Sequence, residues 1–237
     1  MAKGRIWMAP TTLGGEVVSE VIPEYVMSVL KGIRHFIVED VKSTRRYLRR
    51  INREFPIDEC HFFELNKRTE LSEISRYLKP IKDGFDMAMI SEAGCPGIAD
   101  PGAELVAQAH IHDIRVSPLV GPSSIVLALM ASGFSGQEFT FHGYLPKERK
   151  DRIRKLKDFE GDTRRTGYTH IFMDTPFRNM NVLDDLLNEL TDTTLICIAS
   201  DLTMLEENVR TMSAKDWREQ AYDLAKKPTM FLIGSYK

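Results

Sequence analysis

Two segments of this chain combine glycine, proline and short polar side chains: Ser91-Glu92-Ala93-Gly94-Cys95-Pro96-Gly97-Ile98-Ala99-Asp100-Pro101-Gly102 and Val120-Gly121-Pro122-Ser123-Ser124. Each follows a short apolar run and opens into a helical pattern. At the carboxyl end of a parallel strand, such a loop lets the main chain come close to a ligand. A tight connection from strand to helix would explain either loop alone. Two of them, about one βαβ unit apart, suggest a single binding crevice. Ser123 and Ser124 suit both helix capping and the holding of a polar ligand, because first-turn amides and hydroxyls can do both. A branched side chain at Gly121 is expected to intrude where the backbone approaches that ligand. No GxGxxG follows a strand and no Walker A pattern occurs, which disfavours a dinucleotide fold and a P-loop. No G-x-S-x-G surrounds a serine, which disfavours a hydrolase nucleophile.

Lys42, Arg45, Arg46, Arg49, Arg50 and Arg53 recur at helical spacing and could meet phosphates, although a solvated helix face would look the same. A second basic cluster, from Lys147 to Lys157, is diluted by Glu148 and Asp151. The histidines are scattered, and Cys60, Cys95 and Cys197 form no CxxC pair, so neither a metal site nor a disulfide framework is assigned.

The elements that must position these residues follow from periodicity. Strands are expected at residues 5–9, 35–38, around Phe62 and Phe63, at 87–90 and at 115–120. Helices are expected at 19–31, 42–53, 69–79 (with Thr69 and Ser72 as caps), from an Asp100 cap to His110, and at 123–131 before Gly133. Residues 87–90 are unbroken and apolar, as a parallel strand buried on both faces is. The second half predicts strands at 139–143, 169–173, 194–199 and 229–233, with an antiparallel one at 206–212. Its helices are predicted at 147–159, 179–190 and 214–224. The chain therefore reads as two α/β domains, 1–120 and 121–237.

With 237 residues, 43% hydrophobic and 28% charged, the chain has the composition of an ordinary globular protein. A net charge of −2 announces no polyanion binder. No stretch is apolar enough for a membrane span and no signal-peptide pattern opens the chain, so a cytoplasmic protein without membrane attachment is expected.

The two loops, with Asp100-Pro101-Gly102 and Pro118-Leu119-Val120-Gly121-Pro122-Ser123-Ser124, resemble the tetrapyrrole methylase superfamily of S-adenosylmethionine-dependent methyltransferases. They are most similar to its branch that methylates ribose 2′-hydroxyls of small-subunit ribosomal RNA. Supporting stretches run in the family's order: Ala9-Pro10-Thr11-Thr12-Leu13-Gly14, Glu39-Asp40, Phe141-His142-Gly143-Tyr144-Leu145-Pro146, Asp174-Thr175-Pro176-Phe177-Arg178 and Lys227-Pro228-Thr229-Met230. Departures from that branch fall in Pro10–Gly15, Glu39–Lys42, Glu64–Glu70 and Met173–Thr175, on its substrate side.

The resemblance implies two α/β domains of tetrapyrrole methylase type with the cofactor cleft between them. It implies S-adenosylmethionine contacts from Leu13, Gly94, Cys95, Pro96, Ile98, Ser123, Ser124, Asp174, Pro228 and Thr229. Methyl transfer from a sulfonium needs alignment more than acid–base machinery, so no catalytic residue is assigned. Glu39, Asp40 and Glu64 are the acidic candidates for accepting a proton. Lys42, Asn66 and Arg178 are candidates for orienting a sugar or phosphate. The implied partner is ribosomal RNA or the small ribosomal subunit, and the implied assembly a homodimer. A methyltransferase for a tetrapyrrole or other small molecule, and a cofactor-binding protein without catalysis, stand as alternatives.

Overall fold

The structure is a computed structural model that describes residues 3–66 and 69–236. It divides into two compact units, Met1–Ser123 and Ser124–Lys237.

In the first unit, strands β1 (Arg5–Ala9), β2 (His35–Val38), β3 (His61–Glu64), β4 (Met87–Ile90) and β5 (Arg115–Pro118) form a five-stranded sheet in the order β3-β2-β4-β1-β5. Every pairing in it is parallel. Alternation of side chains across each strand builds two cores. Ala9, Phe36, Val38, Ala88 and Ile90 pack on helices α1 (Glu24–Gly32) and α2 (Val41–Ile51). Ile6, Met8, Ile37, Met87 and Met89 pack with residues from α3 (Leu71–Tyr77), α4 (Lys79–Lys82) and α5 (Gly102–Ile111). The chain steps from β1 out to β2 and β3, returns to β4, then crosses β1 to reach β5. The loops after β4, β1 and β5 therefore stand side by side at the strands' carboxyl ends, where connections reverse direction and open α/β sheets bind ligands.

The second unit holds a mixed sheet in the order β6-β7-β10-β8-β9. Its strands are β6 (Phe139–Tyr144), β7 (Thr169–Met173), β8 (Leu195–Ser200), β9 (Asn208–Ser213) and β10 (Thr229–Gly234). Only β6 and β7 pair in parallel; the other pairings are antiparallel, including the expected one of β9 on β8. Helices α6 (Ser124–Ser132), α7 (Arg149–Thr166), α8 (Asn179–Glu189) and α9 (Ala214–Arg218) complete it. Phe172, Ile196, Ile198, Phe231 and Ile233 meet Leu156, Leu186 and Trp217 in one core. The indole of Trp217 donates to the Ile196 carbonyl at 2.9 Å, so burying that ring leaves no orphan donor.

Several boundaries differ from expectation for identifiable reasons. The helix expected at 19–31 begins only at Glu24, because Pro23 takes an extended cap conformation; residues Val18–Glu20 form a separate 3-10 turn. Thr69 does not cap a helix: its hydroxyl accepts from the Asn66 amide at 3.0 Å. Asp100 is one residue too early to be the cap of α5 and instead accepts from the amides of Gly97 and Gly102, both at 2.8 Å. Helix α7 continues through Gly161 until Gly167 closes it at a φ of +76°. The helix expected over 214–224 stops at Arg218.

Candidate functional site

Among the described residues, polar groups suited to a ligand gather at one sheet end in each unit. In the first unit the loops after β1, β4 and β5 lock together. The Thr11 amide donates to the Gly94 carbonyl at 2.9 Å. Cys95 Sγ lies 3.4 Å from the Pro122 carbonyl, as a weak donor to it. Gly94 and Gly97 have φ of +69° and +85°, a region that glycine enters without steric cost. A Cβ on Gly94 would stand 3.1 Å from Leu13 Cδ2, so Leu13 covers that glycine. Asp100 clamps the far part of the loop through the two amides named above. Burial pushes its carboxyl pKa up, against the pull of those two hydrogen bonds. Burial also raises the Cys95 thiol, which keeps it protonated and a poor nucleophile. Pro96 is buried, whereas Ile98 is half exposed at 51%. Leu13, Gly94, Cys95, Pro96 and Ile98 thus sit on one interlocked loop set, with Ser123 on the segment after β5.

The space beside Gly121 is filled by protein. A Cβ there would lie 2.2 Å from Pro10 Cγ and 2.3 Å from Pro10 Cβ. The expectation that a branched side chain at Gly121 meets the ligand is corrected accordingly. Such a side chain first displaces the Pro10 ring, and through it the Thr11–Leu13 segment.

In the second unit the loops after β7 and β8 and the segment before β10 converge. Strand register sets Thr229 opposite Ser200 and Met230 opposite Met173, so residues 174, 200 and 229 share one end of the sheet. Asp174 is buried; its Oδ1 accepts from the Thr175 amide at 2.6 Å and pairs with Arg178 Nη2. Asn179 Nδ2 donates to the Lys227 carbonyl at 2.7 Å, and the Asp201 amide donates to the Pro228 carbonyl at 3.0 Å. Asp201, Thr203 and Lys226 are held at φ of 52°, 68° and 64°, which is strained for residues bearing a Cβ. Five buried polar atoms here have no hydrogen-bond partner among the described residues: Asp174 Oδ2, Arg178 Nη1, Asn179 Oδ1, Ser200 Oγ and Thr203 Oγ1. Such atoms normally find partners, so this concentration marks a place where a polar ligand would supply them. Beside them Phe177 and Leu205 are exposed at 84% and 101%.

The substrate-side candidates fall into separate groups. Arg178 belongs with Asp174 through their ion pair. Asp40 caps α2 by accepting from the Ser43 amide at 2.6 Å, and that hydrogen bond holds its carboxyl below the usual range. Lys42 is exposed on the first turn of α2. Glu39 Oε2 accepts from the Glu92 amide at 3.2 Å. Glu64 Oε1 accepts from Asn66 Nδ2 at 3.1 Å, one strand further out on β3. Lys67 and Arg68 of that segment lie outside the described residues.

Sequence reasoning missed Asn179, Ser200 and Thr203. Ser200 ends an apolar run and reads as an ordinary strand terminus; nothing local shows that its hydroxyl stays buried. Among the described residues no cluster of His, Cys, Asp or Glu could hold a metal ion, and no helix is long and apolar enough to cross a membrane.

Known proteins resemble this chain along most of its length. It is 28% identical over 237 residues to "Ribosomal RNA small subunit methyltransferase I" of Buchnera aphidicola (99% of this chain, 80% of that one). The protein of the same name from Thermotoga maritima is 29% identical, over 86% of each chain. Among solved structures, the methyltransferase CobJ superposes with a TM-score of 0.66 at 18% identity, covering 98% of this chain and 94% of that one. The cobalt precorrin-4 methyltransferase CbiF gives 0.62 at 14% identity, covering 97% and 94%. The family model for Tetrapyrrole (Corrin/Porphyrin) Methylases matches residues 19–217.

Proposed function

The chain belongs to the tetrapyrrole methylase family and is a methyltransferase, and we propose that it methylates a ribose 2′-hydroxyl of small-subunit ribosomal RNA with S-adenosylmethionine. The similarity to relatives named for ribosomal RNA, along nearly the whole chain, carries this reading. The residues present fit the donor. In the first unit Leu13, Gly94, Cys95, Pro96, Ile98 and Ser123 offer backbone polar groups and close approach. In the second, Ser124, Asp174, Pro228 and Thr229 would hold it, with Asp174 Oδ2, unpartnered among the described residues, accepting from its hydroxyl or amino groups and Ser200 Oγ donating to one of its oxygens.

When bound, S-adenosylmethionine supplies a methyl group already activated on a sulfonium. The chain's own task is to align the acceptor oxygen and keep water out. The acceptor's proton leaves as the new bond forms, and the first unit offers carboxylates near its sheet end for it. Asp40 is the poorest of them, because its role as a cap favours the ionised form and weakens it as a base. A ribosomal RNA acceptor is consistent with a cytoplasmic protein, and family resemblance supports a homodimer.

The test is incubation with methyl-labelled S-adenosylmethionine and either undermodified small ribosomal subunits or candidate tetrapyrroles. Label is expected in ribosomal RNA as a ribose methyl. Label in the small molecule alone would overturn the RNA acceptor; no binding of either S-adenosylmethionine or its demethylated product to folded protein would overturn the cofactor.

A further inference from the structure

The fold sorts the basic residues of α2. Arg45 Nη2 lies 3.9 Å from Asp58 Oδ1, and its guanidinium sits 5.8 Å from the Phe62 ring centre. Arg49 Nη1 donates to the Arg53 carbonyl at 2.5 Å. Both guanidiniums are therefore engaged with the unit's own surface. Arg46 and Arg50 instead line a pocket of 140 Å³ with Thr11, Thr12, Ser43 and Ser91. Arg50 donates to Thr12 Oγ1 and to the Gly15 carbonyl, each at 3.2 Å, and both acceptors are neutral. The Arg46 guanidinium has no hydrogen bond or ion pair among the described residues.

Hydroxyl side chains border the same pocket. Thr11, Thr12 and Ser91 are only 4%, 5% and 4% exposed, yet they border the pocket. The Thr11 and Ser91 hydroxyls donate to the Ser91 and Ala93 carbonyls, each over a long 3.4 Å, and can rotate toward an anion instead, while guanidiniums present forked donors that match phosphate oxygens. Two cations without a carboxylate partner among the described residues, in one pocket with such hydroxyls, make an anion receptor. Its size decides what kind. Pockets that enclose a whole small ligand run to about 300–1,000 Å³, so this one takes a single group. Glu92 also borders it, and a dense polyanion would be repelled there. A phosphodiester carries one charge and is flanked by sugar hydroxyls that a carboxylate can accept.

Resting on the proposed RNA acceptor, we propose that this pocket seats one backbone phosphodiester of the acceptor strand, gripped by Arg46 and Arg50 together with the hydroxyls of Thr11, Thr12 and Ser91. Seating one phosphate fixes the register of the strand on the first unit without reading its sequence. Of the stripe, Arg46 and Arg50 then serve the receptor, while Arg45 and Arg49 serve the unit's own surface.

The experiment is a salt series of binding between the full chain and unmodified, transcribed small-subunit ribosomal RNA. For the double variant Arg46→Gln/Arg50→Gln, the slope of log affinity against log salt is expected to fall by about 0.7, the value for one phosphate on a single strand. Arg45→Gln should leave the slope where it is. Arg46→Gln alone has no side-chain partner among the described residues to lose, so it carries the test if the double variant is unstable; it should weaken RNA binding by roughly tenfold. An unchanged slope in the double variant, with RNA still bound and methylated, overturns the pocket and leaves the acceptor standing. A fall about twice as large overturns the single phosphodiester. If the unaltered chain shows no salt-dependent RNA affinity, the acceptor itself fails and the pocket with it.

Discussion

At the carboxyl end of the first sheet, backbone sets the shape: glycines at positive φ, carbonyls and amides joined across loops, and one carboxylate fastening two amides. In the second unit no glycine takes that role among residues 174–179, 200–203 and 226–229. There the shape comes from a buried ion pair and from Asp201, Thr203 and Lys226 held at positive φ. The first arrangement is cheap, because glycine enters that region freely. The second costs about 1–2 kcal/mol for each residue with a Cβ and persists only because surrounding contacts hold it. Backbone-built sites announce themselves in composition. Sites built from buried polar atoms do not.

The largest expected effect lies in the second unit. Asp174→Ala strips Arg178 of its partner, and the Asp174 side chain is fully buried. Breaking a buried pair from one side costs about 3–5 kcal/mol, the lower end fitting the partly exposed Arg178. Chemical denaturation reads this directly, and a loss under about 1 kcal/mol would mean that the pair carries no weight.

Gly121→Val comes next and probes the first unit. Its side chain must displace the Pro10 ring, an overpacking cost of about 1–3 kcal/mol, and S-adenosylmethionine affinity should fall with it. Calorimetry and thermal melting measure the two together. Unchanged values of both would show that the loops tolerate what their packing forbids.

Ser200→Ala separates stability from binding. Its hydroxyl is buried without a partner among the described residues, so deleting it should leave stability within about 0.5 kcal/mol or raise it slightly. Affinity for S-adenosylmethionine should drop several-fold, since the ligand then loses a donor. A stability loss with unchanged affinity would assign the hydroxyl to the fold alone.

The smallest effect is on pH dependence. His142 Nε2 lies 2.9 Å from His170 Nδ1, and the two rings stack with Phe159 in the second unit. Burial, then the neighbouring His170, lowers the His142 pKa from the ordinary 6.5 to about 4. In that window the unfolded chain takes up a proton that the folded one refuses, so stability falls as pH drops from about 6.5 to about 4. His35 in the first unit shifts in the same direction, through burial and then His61. Hydrogen exchange across this range should show the second unit losing protection first. Earlier loss in the first unit would reverse the ranking, and His142→Phe should flatten the second unit's response.

Much of the first unit was legible in the residues themselves. The run Met87–Ile90 read as a buried parallel strand because it is unbroken and apolar on both faces, and it is one. The glycines at 94 and 97 and the Asp100 clamp sit in one contiguous stretch, so the loop's chemistry is local. In the second unit the strand at Thr169–Met173 matched its expected bounds, but the mostly antiparallel pairing did not follow from the strand pattern alone. Pairing is decided by where crossovers place the strands. Periodicity also placed five basic residues along α2, with Arg53 just past its end, yet could not divide them. Asp58 and Phe62 claim Arg45 from an adjoining loop and strand, while Thr12 receives Arg50 from another. The sequence by itself determined the strands, the glycine loops, the family and the basic stripe, because those depend on neighbours along the chain. Only the tertiary structure decided which arginines face a pocket, why Gly121 must be glycine, and which buried hydroxyls lack partners. Those facts belong to atoms far apart in sequence, brought together when the strands find their order.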